Sequence, residues 1–157
     1  MTFKPKYFEL YEFLPRDFYH KWHPLYGERL WNLFSYEFLW TQDQLRIKYG
    51  RMDGNNWYWK DQEHPDGLDP EANQWKGYRP LDCPIGLTNY NWVSAHYSFR
   101  AFDPTPIDED PEVIRFDCLQ FPYDPPFKYI TAIEKDVLWF HHSFGDHNKS
   151  LEGIQVI

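Results

Sequence analysis

Cysteine is scarce in this chain: two residues in 157, Cys83 and Cys118. Two cannot build a disulfide framework, and they lack the paired spacing of a cysteine metal site. The expectation is a pair of buried thiols in a protein made in the cytoplasm. Basic residues are also in deficit, 16 Lys plus Arg against 24 Asp plus Glu, a formal charge of −8. That balance argues against nucleic acid as a partner, because its binders neutralise phosphates with Lys and Arg. It argues equally against an anionic membrane surface. Long apolar runs are missing too. No stretch reaches the roughly 18 apolar residues of a spanning helix, and Met1-Thr2-Phe3-Lys4-Pro5-Lys6 leads into charged residues. We therefore expect no membrane insertion and no signal peptide. No internal repeat is visible, and the length fits one domain, 1–157.

What the chain has in abundance is aromatic residues: 13 Phe, 12 Tyr and 8 Trp, 21% of the sequence, within 42% hydrophobic residues. Disordered chains have few aromatics and little to bury. A core can form here, and rings will dominate it.

The first 50 residues read as mainly helical. Arg29 to Tyr49 contains no Pro or Gly, and Leu30, Leu33, Phe34, Phe38, Leu45 and Tyr49 roughly follow a helix face. Gly50 supplies the stop. Phe8 to Leu14 reads as a shorter helix ended by Pro15. From 51 to 157 the chain is richer in loops. Asn55 to Trp59 is the best strand of the middle section, and 60–75 reads as a polar excursion. Asp110 is a candidate N-cap for a helix over Pro111 to Gln120. Tyr129–Ile133 and Val137–His141 are spaced as a hairpin, with a closing strand at Ile154–Ile157. Helices first and strands later predict an α+β domain, its N-terminal helices packed on a small antiparallel sheet.

Chemistry is concentrated in two places. His96 and Asp103 stand seven residues apart around a short bend, and His141-His142 ends an apolar run. Neighbouring strand residues face opposite sides, so only one of that pair can join the other two. Two imidazoles and a carboxylate suit zinc with a fourth position open. On spacing alone, seven histidines make such a pairing easy to meet by accident, and isolated hydrogen-bonded residues are the simpler reading. Asp108-Glu109-Asp110 reads as a solvated loop, without the spacing of a calcium site. Trp57, Trp59, Trp75 and Trp92 read as packing of the middle section, with a glycan-binding cleft as the alternative.

The order of motifs resembles the D-alanyl-D-alanine carboxypeptidase and hedgehog-type zinc peptidase superfamily, especially its small phage and prophage members. That pattern runs N-N-W, S-G-x-R-P, a glycine, S-x-H-x-x-G-x-A-x-D and T-W-x-H-x-D. The matching stretches are Asn55-Asn56-Trp57, Lys76-Gly77-Tyr78-Arg79-Pro80, Gly86, Ser94 through Asp103, and Leu138 through Ser143. The resemblance implies zinc held by His96, Asp103 and His141. It implies Arg79 at the substrate's carbonyl or carboxylate, a role suited to a planar charged fork, and Ser94 near the bound peptide terminus. A local turn hydrogen bond is the other reading of Ser94.

The departures matter. Phe99 replaces a glycine, and if that position needs positive φ, the loop has been rebuilt or is strained. Ser143 replaces an acidic residue, and serine cannot act as a general base at neutral pH. Glu134 at the hairpin bend is then the remaining catalytic base, ahead of Asp136 and Asp146; a solvated turn residue is the other reading of it. The resemblance implies a zinc-dependent peptidase that cuts a peptide bond in peptidoglycan cross-links, with the cell-wall peptide as partner. The alternative is a catalytically impaired peptidase-like fold serving as a structural or attachment protein of a phage particle. Its partners would then be other virion proteins. The protein is expected either in the virion or released at lysis.

Overall fold

The computed structural model describes residues 3–59, 74–83, 94–145 and 153–157. Among them the chain is a mixture of three α-helices and two small sheets. Helix α1, Arg16–Tyr26, starts at Pro15 and stops at Gly27, whose φ of 52° only glycine takes without strain. Helix α2, Tyr36–Tyr49, starts where the Ser35 hydroxyl accepts from the Phe38 amide at 3.1 Å and ends at Gly50, the stop expected from the sequence. The continuous helix expected from Arg29 is therefore broken. Gly27–Leu33 is a 3₁₀ segment, and Phe34 is extended so that its ring packs against Phe13, Phe38 and Phe99. Helix α3, Pro111–Gln120, matches expectation, with the Asp110 carboxylate accepting from the Glu112 amide at 2.8 Å.

The strands are short. β1 (Met52–Asp53) pairs antiparallel with β3 (Thr105–Pro106). β2 (Ala101–Phe102), β4 (Ala132–Ile133), β5 (His142–Ser143) and β6 (Gln155–Val156) form a sheet of order β2-β5-β4-β6. It is mixed rather than antiparallel, because β6 joins β4 in parallel. The hairpin strands are also shorter than expected. The Val137 and Trp139 carbonyls are each captured at 2.7 Å by the buried Arg115 guanidinium of α3, which draws 137–139 away from the ladder. The expected strand at Asn55–Trp59 is instead a 3₁₀ turn over Trp57–Trp59. It is tied to the N-terminal segment through the Trp57 indole N–H, which donates to the Leu14 and Tyr11 carbonyls. Phe8–Leu14 forms only a 3₁₀ turn, Leu10–Glu12, closed by a reciprocal Glu9–Glu12 cap.

The core is aromatic, as its composition requires. Phe13 is its hub, with Phe8, Trp31, Phe34, Phe38 and Phe102 all within 6 Å between ring centroids. Cys83 and Cys118 are buried, and neither is in a disulfide. No helix among the described residues is long and apolar enough to cross a membrane.

Candidate metal centre

Sheet register builds the site. β2 and β5 pair Phe102 with His142, so Asp103 and His141, one step further, come opposite each other. β4 and β5 pair Ile133 with His142, which brings Glu134 opposite His141, its amide donating to the His141 carbonyl at 3.4 Å. Directly opposite residues on antiparallel strands share a face. Asp103, His141 and Glu134 thus form a row across three strands, and His142 points to the other face.

His96 reaches that row from a 3₁₀ turn, Ala95–Ser98. The Ser94 hydroxyl caps the turn by accepting from the His96 amide at 3.4 Å, the local role weighed for it above. The turn closes on Phe99 in the left-handed conformation, φ 58° and ψ 32°. The loop has kept the backbone that a glycine would favour, and the Phe99 ring compensates by stacking on Tyr78 at 3.9 Å and 9°. Gly77 fixes the imidazole. A Cβ there would lie 2.1 Å from the Phe13 carbonyl oxygen, so only glycine fits. Its own carbonyl accepts from His96 Nδ1 at 2.6 Å.

That bond decides the tautomer of His96. With the proton on Nδ1, Nε2 presents a lone pair, and this buried atom has no hydrogen-bond partner. It lies 3.2 Å from Oδ2 of Asp103, also an acceptor. Two acceptors face each other in a buried place, an arrangement a cation relieves. Zinc ligands at 2.0–2.2 Å in tetrahedral array sit about 3.3 Å apart, so this spacing suits the metal. On the other side, His141 Nδ1 donates to Oδ1 of Asp103 at 2.5 Å. A metal would take the place of that proton. Ligand atoms of His96, Asp103 and His141 all lie within 4.8 Å of one another. His96 and Asp103 are buried, whereas the His141 side chain keeps 11% of its surface exposed, an edge through which the cluster meets solvent.

Charge states favour coordination. Burial opposes ionisation of Asp103, but its bonded neighbours, among them the hydrogen bond from His141 Nδ1, override it and hold the carboxyl well below the usual carboxylate range. Burial pushes His96 down despite the pull of Asp103, keeping its ring neutral. A carboxylate and neutral imidazoles are the forms that bind metal.

The remaining candidates divide. Arg79 does join the cluster, but through Asp103: Nη2 pairs with Oδ2, and Nε donates to the Trp75 carbonyl at 2.7 Å. Glu134 is half-buried, and among the described residues its carboxylate has no partner. Ser143 is buried on the same face as His141, paired with Ala101 and Ala132. His142, the member of the pair that does not join the cluster, is fully buried against Gln42. Asp136 sits in the hairpin connection at φ 60°. Gly86, Trp92 and Asp146 lie outside the described residues.

Sequence reasoning missed Gly77 as the orienting carbonyl and Arg79 as partner of Asp103, although both stand in the quoted Lys76 to Pro80 motif. An apolar cavity of about 590 Å³, walled by Leu33, Phe38, Phe99, Tyr129 and Phe144, shares none of the ligand residues. Comparison with protein-family models, curated proteins and solved structures gives no match for this chain.

Proposed function

We propose that this chain is a zinc-dependent peptidase of phage or prophage type with a hedgehog/D-Ala-D-Ala peptidase-like fold. It hydrolyses a peptide bond in bacterial cell-wall cross-links. One observation carries the reading: the buried, unpartnered Nε2 of His96 converges with Asp103 and His141 within 4.8 Å. The motif order quoted above supports it. Zinc held by His96, Asp103 and His141 supplies Lewis acidity toward the scissile carbonyl and toward water.

The chain's own residues do the rest. Glu134, in the row beside His141, takes the proton from the attacking water and returns it to the leaving amine. Ser143, where related proteins carry an acid, cannot do this, so the burden falls on Glu134 alone. Arg79 adds a fixed positive charge beside the site, suited to charge developing on the substrate oxygen. Digesting purified cell wall with zinc-loaded protein should release new amino termini above a His96→Ala control. Glu134→Gln should lower turnover by about 10²–10⁴-fold while keeping the metal. No release above that control removes the reading.

A second reading, a structural or attachment component of a phage particle, is favoured by large apolar side chains left exposed. Phe116, Tyr123 and Leu138 are 63%, 63% and 85% exposed. Apolar surface of that kind marks partner interfaces. Assembly in size-exclusion chromatography together with inactivity on cell wall would select it.

A further inference from the structure

We propose that Arg79 is a positioning residue for the metal-ligating carboxylate, holding Oδ2 of Asp103 toward His96. This rests on the reading of His96, Asp103 and His141 as metal ligands. The terminal torsion of an aspartate is broad, with no deep wells to choose which oxygen faces which neighbour. Hydrogen bonds must make the choice. Two donors reach the Asp103 carboxylate among the described residues: His141 Nδ1 at Oδ1, and Arg79 Nη2 at Oδ2. Metal binding at His141 Nδ1 displaces the first proton. Arg79 is then the remaining described restraint on Asp103.

Its own placement suits that task. Nε is anchored on the Trp75 carbonyl at 2.7 Å, and the Arg79 amide donates to the His96 carbonyl at 3.3 Å. One residue is thus bonded to the backbone of one ligand and to the side chain of another. Its side chain is 18% exposed, so little solvent competes for the pair. Oδ2 has two lone pairs; Arg79 uses one and leaves the other for the metal. Lysine cannot reproduce this, because a single ammonium has no planar fork to span Trp75 and Asp103 together.

The experiment measures zinc affinity by competition with a chromophoric chelator in wild type, Arg79→Lys and Arg79→Gln. We expect Gln to weaken binding by about 10–100-fold and Lys to fall between. Ile114→Val, a core change away from the site, should leave affinity at the wild-type value and so separates positioning from general loosening. Affinities equal to wild type in both Arg79 variants would overturn the proposal. Tighter binding in Arg79→Gln would overturn it too, since Arg79 would then compete with the metal.

A metal-free arm keeps the two readings apart. The His141 Nδ1–H proton, observed by NMR, should exchange with solvent faster in Arg79→Gln. Unchanged exchange overturns the hold of Arg79 on Asp103 whatever the metal does. Wild type that binds no more zinc than His96→Ala overturns the metal reading and the metal-positioning role together, and the proton exchange then decides the Arg79–Asp103 hold alone.

Discussion

His141 and His142 are chain neighbours on opposite faces of one strand, and their surroundings differ in kind. His142 is completely enclosed and completely satisfied. Its Nδ1 donates to the Phe140 carbonyl at 3.0 Å, its Nε2 meets the Gln42 amide at 3.0 Å, and its ring stacks on Phe140. Burial pushes its pKa down to about 3, so it stays neutral and serves the scaffold. On the other face, His141 and His96 converge on Asp103, and one buried nitrogen is left without a partner. Both faces are largely buried and each carries histidine. The difference lies in whether the polar atoms are paired, and that pairing separates a packed histidine from one waiting for a ligand.

The sharpest way to test this contrast is to remove one histidine from each face. His96→Ala should reduce zinc affinity by at least about 100-fold, since a ligand is lost and not merely a group that orients one. Zinc at 100 times its dissociation constant should stabilise wild type by about 2.7 kcal/mol in urea denaturation. That increment should vanish in His96→Ala and persist in His142→Gln. Equal loss of zinc binding in the two variants would erase the distinction.

His142→Ala probes the scaffold face, and its cost should be paid in stability. The change leaves a cavity among Phe102, Phe140 and Phe144 and takes from the Gln42 amide its His142 partner, leaving it the Phe38 carbonyl. We expect a loss of about 2–4 kcal/mol, read from the urea midpoint. A change under 0.5 kcal/mol, the range of an inert surface substitution, would mean that His142 does not sit in the core.

Two buried titratable groups give the contrast a pH signature. His142 has a depressed pKa in the folded state, so its contribution is present above the unfolded value near 6.5 and is lost as pH falls toward 3. Glu12 runs the other way. Burial raises its pKa to about 7, so the unfolded chain ionises first and stability falls as pH rises from 4.5 to 7. Glu12→Gln should therefore stabilise at pH 8 by up to about 3 kcal/mol and have no effect below pH 4.5. A benefit independent of pH would show that Glu12 titrates normally.

The readable parts of this molecule are those set by local rules. Asp110-Pro111 announces α3, Gly50 ends α2, and the seven-residue spacing of His96 and Asp103 follows from a capped turn feeding β2. Other features depend on distant partners. The hairpin strands shrink because Arg115, from another element, takes the Val137 and Trp139 carbonyls. The choice between His141 and His142 rests on a register that no local pattern encodes. The motif singles out Arg79, but its pairing with Asp103 was not legible, because that bond exists only once the Asp103 amide pairs with the Lys76 carbonyl across the fold. Ser35 did carry a signal for the break before α2, a capping residue within an apolar run, which helical periodicity outweighed.

The smallest expected effect concerns the turn that carries His96. Phe99 holds a left-handed backbone, which costs a non-glycine residue about 1–2 kcal/mol. Its ring repays this through Tyr78, stacked at 3.9 Å, and Phe34, edge-on at 5.4 Å. Phe99→Gly relieves the backbone and loses the ring; Phe99→Ala loses the ring and keeps the strain. Both should be less stable than wild type, with the alanine variant lower by about 1 kcal/mol in urea denaturation. That difference isolates the backbone from the ring, because both variants lack the same aromatic contacts. Alanine and glycine variants of equal stability would mean that residue 99 is not held at positive φ. The turn would then present the His96 imidazole to Asp103 by a route other than the one described.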